Sequence, residues 1–562
     1  MQRENSKKLR IGLIVDSNLS SKYTYEIAKW GQEQCNIVVS HLIIQQLPSN
    51  HKGLFEKIGS VLSKREGISR FVSHYGFSMI QAIEYRGLKK IRKHSDHFQA
   101  FDLSEQVKQS IRITPLISKS GYNYRYSEED ISKVRNLGLD VLIRCGSGIL
   151  RGDILNAARF GIISFHHADN TINRGGPAGF WEVYLRQAST GFTIQQLTEE
   201  LDGGNVLFRG QFGTNRYFLL NQAELFEKSN AYLKKLLTYI SKEDQLPSLY
   251  ESYPYYNPLY KSPDLPHQFK YMYNRASGSL INKFNNLVLK KTIRWSVAFS
   301  YCNWSNLVLW KSIKIKNPPN HFLADPFVIS FEGEDFCFVE DFDFKSNKGF
   351  ISVYKLTRNG AERMGIALEE PFHLSYPFIF EYEGTMYLCP ESAEKREIRL
   401  YECEGFPLKW KFKKTIMSNV SAVDTTIFEK DGRWWLFTNI DTTNTGDHGS
   451  DLYIYSADNP LSEDWIPHAN NPIFVDSLKA RMGGLLTDKK NIYRVSQQQG
   501  FDSYGRAVQI NKIDCLTDEA YAEHTIAKIE PNFFPKLGGT HHLHSNGKIT
   551  VFDYVKYESA KD

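Results

Sequence analysis

The sequence predicts two folds in series: a doubly wound α/β domain, then an all-β five-bladed propeller. Three observations predict this. At 562 residues the chain is too long for one hydrophobic core. Its first half alternates strand-like and helix-like segments, the pattern of a parallel sheet covered by helices. Its second half repeats a strand–turn–strand unit five times, at steps of 51, 48, 59 and 56 residues.

Leu9–Asp16 is a short apolar run suited to the centre of a parallel sheet. Helical spacing follows over Tyr25–Cys35, and Asn36–Ile44 reads as a second strand. Residues 51–110 read as inserted helices carrying a basic cluster at Arg86, Lys89, Lys90, Arg92 and Lys93. A solvated helix face is the plain reading of that cluster, and a phosphate or anionic-membrane contact the sharper one. From Ser127 the alternation resumes: a helix through Leu137, a strand Asp140–Arg144, a loop Cys145–Gly148, a helix, and a strand Gly161–Phe165. The α/β domain is expected over residues 1–255 and a linker and helix over 256–294. The propeller is expected over 295–562, beginning with the strand Trp295–Tyr301.

The five repeats are Phe327–Glu340, Phe378–Glu391, Thr426–Asn439, Leu485–Gln498 and His541–Tyr554. Four carry a Gly turn between two apolar or aromatic strands, and the fourth has Lys-Lys-Asn there. Four-stranded units at such a period are propeller blades.

Apolar residues at 41% and charged residues at 23% exclude a disordered chain. A net charge of +6 is too dilute to argue for nucleic acid, whereas 14% aromatic residues suit a β-rich or carbohydrate-binding protein. No apolar run of about eighteen residues occurs, so no transmembrane helix is expected. The basic-aromatic stretch 255–296 is nonetheless compatible with peripheral contact with a membrane surface. The start lacks the pattern of a signal peptide, and the seven cysteines form no CxxC pair. A cytoplasmic protein without disulfides or a metal site is the expectation.

Chemistry in the first half concentrates between Gly161 and Phe208. A strand ends at His166, a loop follows with Arg174, Gly175 and Gly176, and an acidic turn carries Asp202. In an open α/β sheet ligands sit beyond the carboxyl ends of the strands. A His at a strand end facing an Asp makes an acid–base pair able to take a proton from an attacking amine.

At these residues the chain resembles the formyltransferase family. The matching segments are Gly161–His166, Arg174–Pro177, Thr190–Thr193 and Leu201–Gly204. The resemblance implies proton transfer by His166 and Asp202, with Ser164 standing where the family has an oxyanion-stabilising Asn. It implies substrate contacts from His167, Asn170, Arg174, Gly175 and Gly176. The donor would be 10-formyltetrahydrofolate, held by the loop with Arg144, Gly146, Gly148 and Leu150. Losing one well-aimed oxyanion donor costs about 3 kcal/mol. Ser164 therefore works with a donor from Asn170 or His167, or marks another acyl donor, or marks an inactive site.

A propeller brings one strand of each blade to a central channel. Polar groups near those strand ends are Asp325, Glu340, Asp341, Glu391, Asp424, His541 and His542, and Tyr376, Trp434, Trp435 and Tyr504 offer stacking faces for sugar rings. Three carboxylates from separate blades are the equipment of glycoside chemistry. Residues 295–557 resemble the five-bladed glycosidase-like fold, and more closely the propeller of glucosamine inositolphosphorylceramide transferases. Binding, glycosyl transfer and hydrolysis all fit that resemblance.

Together the halves imply formyl or other acyl transfer to the amino group of a sugar or sugar nucleotide in polysaccharide or glycolipid biosynthesis. The alternative makes the propeller the active glycosyltransferase or glycosidase and the first half a degenerate scaffold. A tRNA substrate is disfavoured, because a near-neutral propeller stands where a basic RNA-binding domain would be needed.

Overall fold

The computed structural model describes residues 8–48, 65–200, 204–251, 255–288 and 290–559. Contacts divide the chain into Met1–Gln211 with Asn215–Arg275, and Phe212–Thr214 with Ala276–Asp562. The first unit runs past the expected limit at residue 255, because Gln268 and Tyr271 near the start of the helix Leu265–Leu287 bond back to Ser73 and Glu84.

Seven strands form the sheet of the first unit: β1 (Leu9–Val15), β2 (Ile37–Gln45), β3 (Gln109–Ile113), β4 (Val141–Arg144), β5 (Ile162–His166), β6 (Ser189–Gln196) and β7 (Asn205–Gly213). They lie in the order 7-6-5-4-1-2-3. The pairs β1–β2, β1–β4, β4–β5 and β2–β3 are parallel, and β6 returns antiparallel to β5. Strand order therefore reverses between β1 and β4. The two segments leaving those strands diverge and open a crevice at their carboxyl ends, where ligands bind in such sheets.

Helices α1 (Lys22–Gln32), α2 (Arg65–Leu88), α3 (Glu128–Arg135), α4 (Phe180–Leu185), α5 (Phe218–Glu243) and α6 (Leu265–Leu287) accompany the sheet. Ser21 and Ser127 cap α1 and α3, and three acidic residues open α3 while Lys133 and Arg135 close it, as the helix dipole favours. The expected helical insertion is helical only in part. Residues 51–64 lie outside the described residues, α2 ends at Leu88, and beyond it come turns and the short strand Ala100–Asp102, which pairs with Leu19–Ser21. Arg86 and Lys89 to Arg92 sit at the solvated end of α2.

The second unit consists of five antiparallel sheets of about equal size, whose innermost strands touch in ring order, the fifth returning to the first. Blade one spans His321–Phe331 to Gly360–Leu368, and blade two Ser375–Tyr382 to Lys409–Ser418. Blade three begins with Ala422–Lys430, and blade four runs from Met482–Thr487 to Tyr521–Ile529. Blade five is assembled from both ends of the unit. Lys291–Ser300 pairs residue for residue with Thr550–Ser559, so the ring is closed by a long strand ladder.

Hairpin turns at Glu332–Gly333, Glu383–Gly384 and Asp431–Gly432 place both central residues at positive φ, the geometry matched to strand twist. Blade four lacks that glycine, and Asp488 replaces it: its carboxylate accepts the Lys490 and Asn491 amides at 2.8 Å.

One irregularity recurs. The innermost strands of blades one to four each slip register near their axial end, between Ala324 and Phe327, Ser375 and Phe378, Val423 and Thr426, and Met482 and Gly484. At the bulge the backbone turns left-handed, with φ of 49° at Asp325, 44° at Tyr376, 52° at Asp424 and 126° at Gly484. Bulges re-aim side chains, and here they turn successive blades' side chains towards the axis.

Gly484 shows how tight the bulge is, because a Cβ there would lie 2.2 Å from the Leu543 carbonyl oxygen of blade five. Gly484→Ala combines that clash with an unfavourable φ and should destabilise the propeller by about 3 kcal/mol. Thermal unfolding followed by circular dichroism checks this, and an unchanged melting temperature would refute the tight packing.

Candidate functional site

At the reversal between β1 and β4 lies a cavity of about 190 Å³. Ser21, Tyr23 and Thr24 line it after β1, Arg144 to Gly146 after β4, and Ser164, Phe165 and His167 along β5. Asp16 holds the β4 loop in place, accepting the Ser147 amide at 3.0 Å and the Gln45 amide nitrogen at 2.7 Å. The volume falls below the roughly 300–1,000 Å³ of sites for drug-sized ligands. The cavity can take a ring system between Tyr23, Ile27, Phe165 and Phe226, but not a whole folate. Of the loop residues expected to hold that cofactor, Arg144 and Gly146 line the cavity. Gly148 instead presents its carbonyl to the Arg144 guanidinium at 2.9 Å, and Leu150 faces away, buried in the core with Tyr124 and Ile154.

Of the other expected residues Ser164 and His167 line the cavity, and His166, on the strand between them, does not. Ser164 is buried in its wall. His167 stacks on Phe165 with ring centres 5.1 Å apart, and burial depresses its imidazole to about 3, so it stands as a neutral wall. His166 places Nε2 2.9 Å from the Asn173 carbonyl oxygen. A carbonyl can only accept, so Nε2 carries the proton and Nδ1 keeps its lone pair. Asn173 is held in turn, its side chain donating to buried Glu182 at 2.8 Å. Arg174 and Asn170 form a loop brace: the Arg174 guanidinium donates to the Asn170 carbonyl at 2.9 Å and lies 4.5 Å from the Tyr255 ring. Gly175 is where the chain passes so close to Tyr260 that a Cβ would meet its carbonyl oxygen at 2.1 Å, and the Gly176 carbonyl accepts the Trp181 indole at 3.1 Å. These contacts fix the loop rather than line the cavity. Asp202 lies outside the described residues.

In the propeller, the bulges converge a dense set of ionisable groups on the axis. His541 lies between two carboxylates, Nε2 3.2 Å from Asp325 and Nδ1 2.8 Å from Asp553. Asp553 also accepts the backbone amides of His541 and His542, each at 3.0 Å. Arg481 donates to Asp424 at 2.7 Å, and Gln497 to the same oxygen at 3.2 Å. His373 accepts the Gly349 amide at Nδ1, so Nε2 carries its proton and faces Glu340 at 3.4 Å. The Trp295 ring packs 4.0 Å from His541, and Tyr504, 43% exposed, stands over Arg481 at 4.7 Å. Half-exposed Tyr504 and partly exposed Glu391 mark the side that meets solvent.

Protonation is divided sharply within this set. Burial alone would raise the Asp325 carboxyl, but His541, His542 and Arg481 outweigh it and hold it below the usual carboxylate range. Burial and the charges of Asp325 and Glu391 push Glu340 well above that range. Burial and Asp424 push Glu391 up to about 8. Asp424 is raised by burial, against the pull of Arg481. Burial would lower His541, but Asp553 and Asp325 lift it to about 10, while burial takes His542 down to about 4. One carboxylate held ionised beside two carboxyls held protonated is the division of labour that acid–base catalysis needs.

Asp325, His541 and Asp553 bring potential ligand atoms within 4.8 Å of one another, spacing suited to a cation. As an imidazolium between two carboxylates, however, His541 has no lone pair to offer, and its proton supplies the neutralising charge.

Asp341 lies outside the cluster. Neighbouring residues of a strand face opposite ways, so with Glu340 at the axis Asp341 turns into the blade, where it meets His321 at 2.6 Å and Arg363 at 3.1 Å. Trp434 and Trp435 also sit elsewhere, packed between blades. Arg481 and Asp553 were not foreseen. Arg481 lies outside the repeated hairpins, whereas Asp553 falls inside the fifth repeat, where an Asp in the run Ile549–Tyr554 is a readable anomaly.

Residues 285–532 match the family model described as glucosamine inositolphosphorylceramide transferase 1, N-terminal. Glucosamine inositolphosphorylceramide transferase 1 of Oryza sativa subsp. japonica is 38% identical over 210 residues, covering 36% of this chain and 28% of that protein. The Arabidopsis thaliana protein of the same name is 38% identical over 211 residues, covering 36% and 27%. This chain thus spans about a quarter of the length of the plant relatives it matches. Methionyl-tRNA formyltransferase of Bacillus subtilis (strain 168) is 24% identical over 203 residues, covering 34% of this chain and 58% of that protein. Among solved structures, a thermostable family-43 glycoside hydrolase covers 46% of this chain and 91% of its own at 13% identity, with a TM-score of 0.33.

The axis makes a pH prediction. The folded pKa of His541 lies near 10, above the ordinary value of 6.5. Its ion pairs therefore stabilise the propeller fully below the ordinary value, and that contribution is lost as pH rises through about 10. It amounts to at most on the order of 5 kcal/mol. Melting temperature should fall between neutral pH and pH of about 10.5, and His541→Gln, which cannot be protonated, should flatten that fall. An equal slope in both proteins would refute the assignment.

Proposed function

We propose that this chain is a transferase of glycolipid or surface-polysaccharide biosynthesis that acts on an amino sugar. The first unit moves a formyl or other acyl group onto the sugar amine, and the propeller axis binds or processes the glycan. The observation that carries the sugar-directed reading is the opposed protonation at the axis: Asp325 held ionised beside Glu340 and Glu391 held protonated. The plant relatives are named glucosamine inositolphosphorylceramide transferase 1. They support a glycolipid setting, but about three quarters of their length lies beyond the match, so their named activity is not simply transferred.

In the acyl-transfer step, His166 would accept a proton from the attacking amine at Nδ1, the nitrogen left open by the Asn173 contact, and return it to the carrier nitrogen as the bond between that nitrogen and the acyl carbon breaks. Ser164, in the cavity wall, donates its hydroxyl to the Phe165 carbonyl at 3.3 Å and would turn from it to meet the developing oxyanion. When bound, 10-formyltetrahydrofolate supplies the formyl group to be transferred. Arg144 and Gly146, along one side of the cavity, would hold the ring portion of such a donor.

A second reading has its own support. Glu391, pushed up to about 8, is a carboxylic acid still protonated at neutral pH, which a propeller catalysing glycosyl transfer or hydrolysis would use as general acid.

Two variants separate the readings. With 10-formyltetrahydrofolate and UDP-glucosamine as probes, His166→Ala should lower N-formyl product by at least about a hundredfold, with Glu391→Gln close to wild type. With glucosaminyl glycolipid and aryl glycosides as probes, Glu391→Gln should be the defective variant if the propeller is the catalyst. An undiminished His166→Ala would end the acyl-transfer reading.

A further inference from the structure

We infer that one face of helix α6 (Leu265–Leu287) is a docking surface for an anionic lipid bilayer. The helix has two unlike sides. Gln268 and Tyr271 are buried, donating to Ser73 and to Glu84. On the other side, large apolar residues are left in solvent: Phe269 is 74% exposed, Tyr273 72%, Leu280 67%, Phe284 53% and Leu287 76%. At about 100° per residue these five fall within an arc of about 60°, turned away from Gln268 and Tyr271. The stripe continues into Val288, 62% exposed. A run of this kind over roughly 28 Å of helix exceeds the scattered apolar exposure normal for a surface.

Charge decides what covers it. From Leu265 to Lys291 the chain carries Lys270, Arg275, Lys283, Lys290 and Lys291 and no Asp or Glu, Asp264 standing just before the helix. Exposed Lys290 and Lys291 follow directly on the apolar stripe. An apolar stripe flanked by basic residues and free of carboxylates is the make-up of a helix lying in the interface of an anionic membrane, each lysine contributing about 1 kcal/mol. A second copy of the chain is the poorer partner, because two such helices would bring like charges together without a carboxylate between them. No helix among the described residues is long and apolar enough to cross a membrane. The face therefore lies on the bilayer rather than spanning it. This inference stands apart from the chemistry of either site and survives the failure of the proposed function.

The test is co-sedimentation of the full chain with vesicles of phosphatidylcholine alone or with about one third phosphatidylglycerol. Binding is expected to the anionic vesicles, falling at least several-fold at high salt. Leu280→Glu with Phe284→Glu and Leu287→Glu should weaken it at least tenfold, and Lys290→Glu with Lys291→Glu should remove the preference for anionic lipid. Both variants change exposed positions, and unchanged circular dichroism melting will show that they fold. No binding to anionic vesicles, or binding unaffected by the triple substitution, overturns the proposal. So does a dimer in solution that the triple substitution converts to monomer.

Discussion

The second unit depends on one chain of contacts, Asp553–His541–Asp325. Asp553 sits on the strand Thr550–Ser559, which pairs with Lys291–Ser300 to close the ring, and Asp325 sits at the bulge of blade one. His541 joins them across the axis at 2.8 Å and 3.2 Å. Closure of the fold and construction of the site are therefore the same event. Until the last strand is in place Asp325 lacks its cation, and a buried carboxylate without one would protonate instead. The opposed protonation of the axial carboxyls is thus available only to the closed propeller.

How much of this could be read beforehand follows from which features are periodic. The blade hairpins repeat at a regular spacing with their turn residues in place, so five blades and most of their strands were legible. Asp325, Glu391 and Asp424 were legible as strand-end carboxylates. Asp341 was not rejected, although a period of two places it opposite Glu340 and the sequence alone could have separated them. Arg481 enters the axis from a segment outside the repeated hairpins, and Asp553 from a repeat position that the other blades fill with Val339, Pro390, Thr438 and Gln497, so no shared carboxylate marks it. Tyr376 was noticed as an aromatic face, but its conformation, with φ of 44° matching the bulges at Asp325 and Asp424, is a backbone property that no side-chain pattern announces.

The first unit divides similarly. Its alternating elements predict a parallel sheet, and reversal of strand order between β1 and β4 puts a cavity beside Arg144, Gly146, Ser164 and His167. The motif carries less information about orientation. Arg174, Gly175 and Gly176 read as substrate contacts, yet each is engaged in bracing its own loop. Leu150 reads as part of a ligand loop, yet its side chain belongs to the core, because apolar surface is buried wherever packing allows. The link from Glu182 through Asn173 to His166 joins residues on a helix, a loop and a strand end. Only the fold brings them into line, and it fixes which nitrogen of His166 stays open.

The composition of the axis argues against a purely structural role. Glu340, Asp325, Asp424, His541, His542 and Asp553 are each less than 10% exposed. Buried ionic groups of this kind are often replaceable by apolar residues at no loss of stability, or at a gain. Non-glycine residues at left-handed φ add strain of about 1–3 kcal/mol each, and three of the blades carry one at the bulge. A propeller serving only as scaffold would be more stable with a glycine at each bulge and apolar side chains at the centre. Gly484 shows that this solution is open to the fold, since blade four adopts it. Tyr376 at the blade-two bulge packs in the core against Phe327, but that blades one and three hold Asp there, with two further carboxyls kept protonated beside them, is an expense in stability that chemistry on a bound sugar would explain and packing would not.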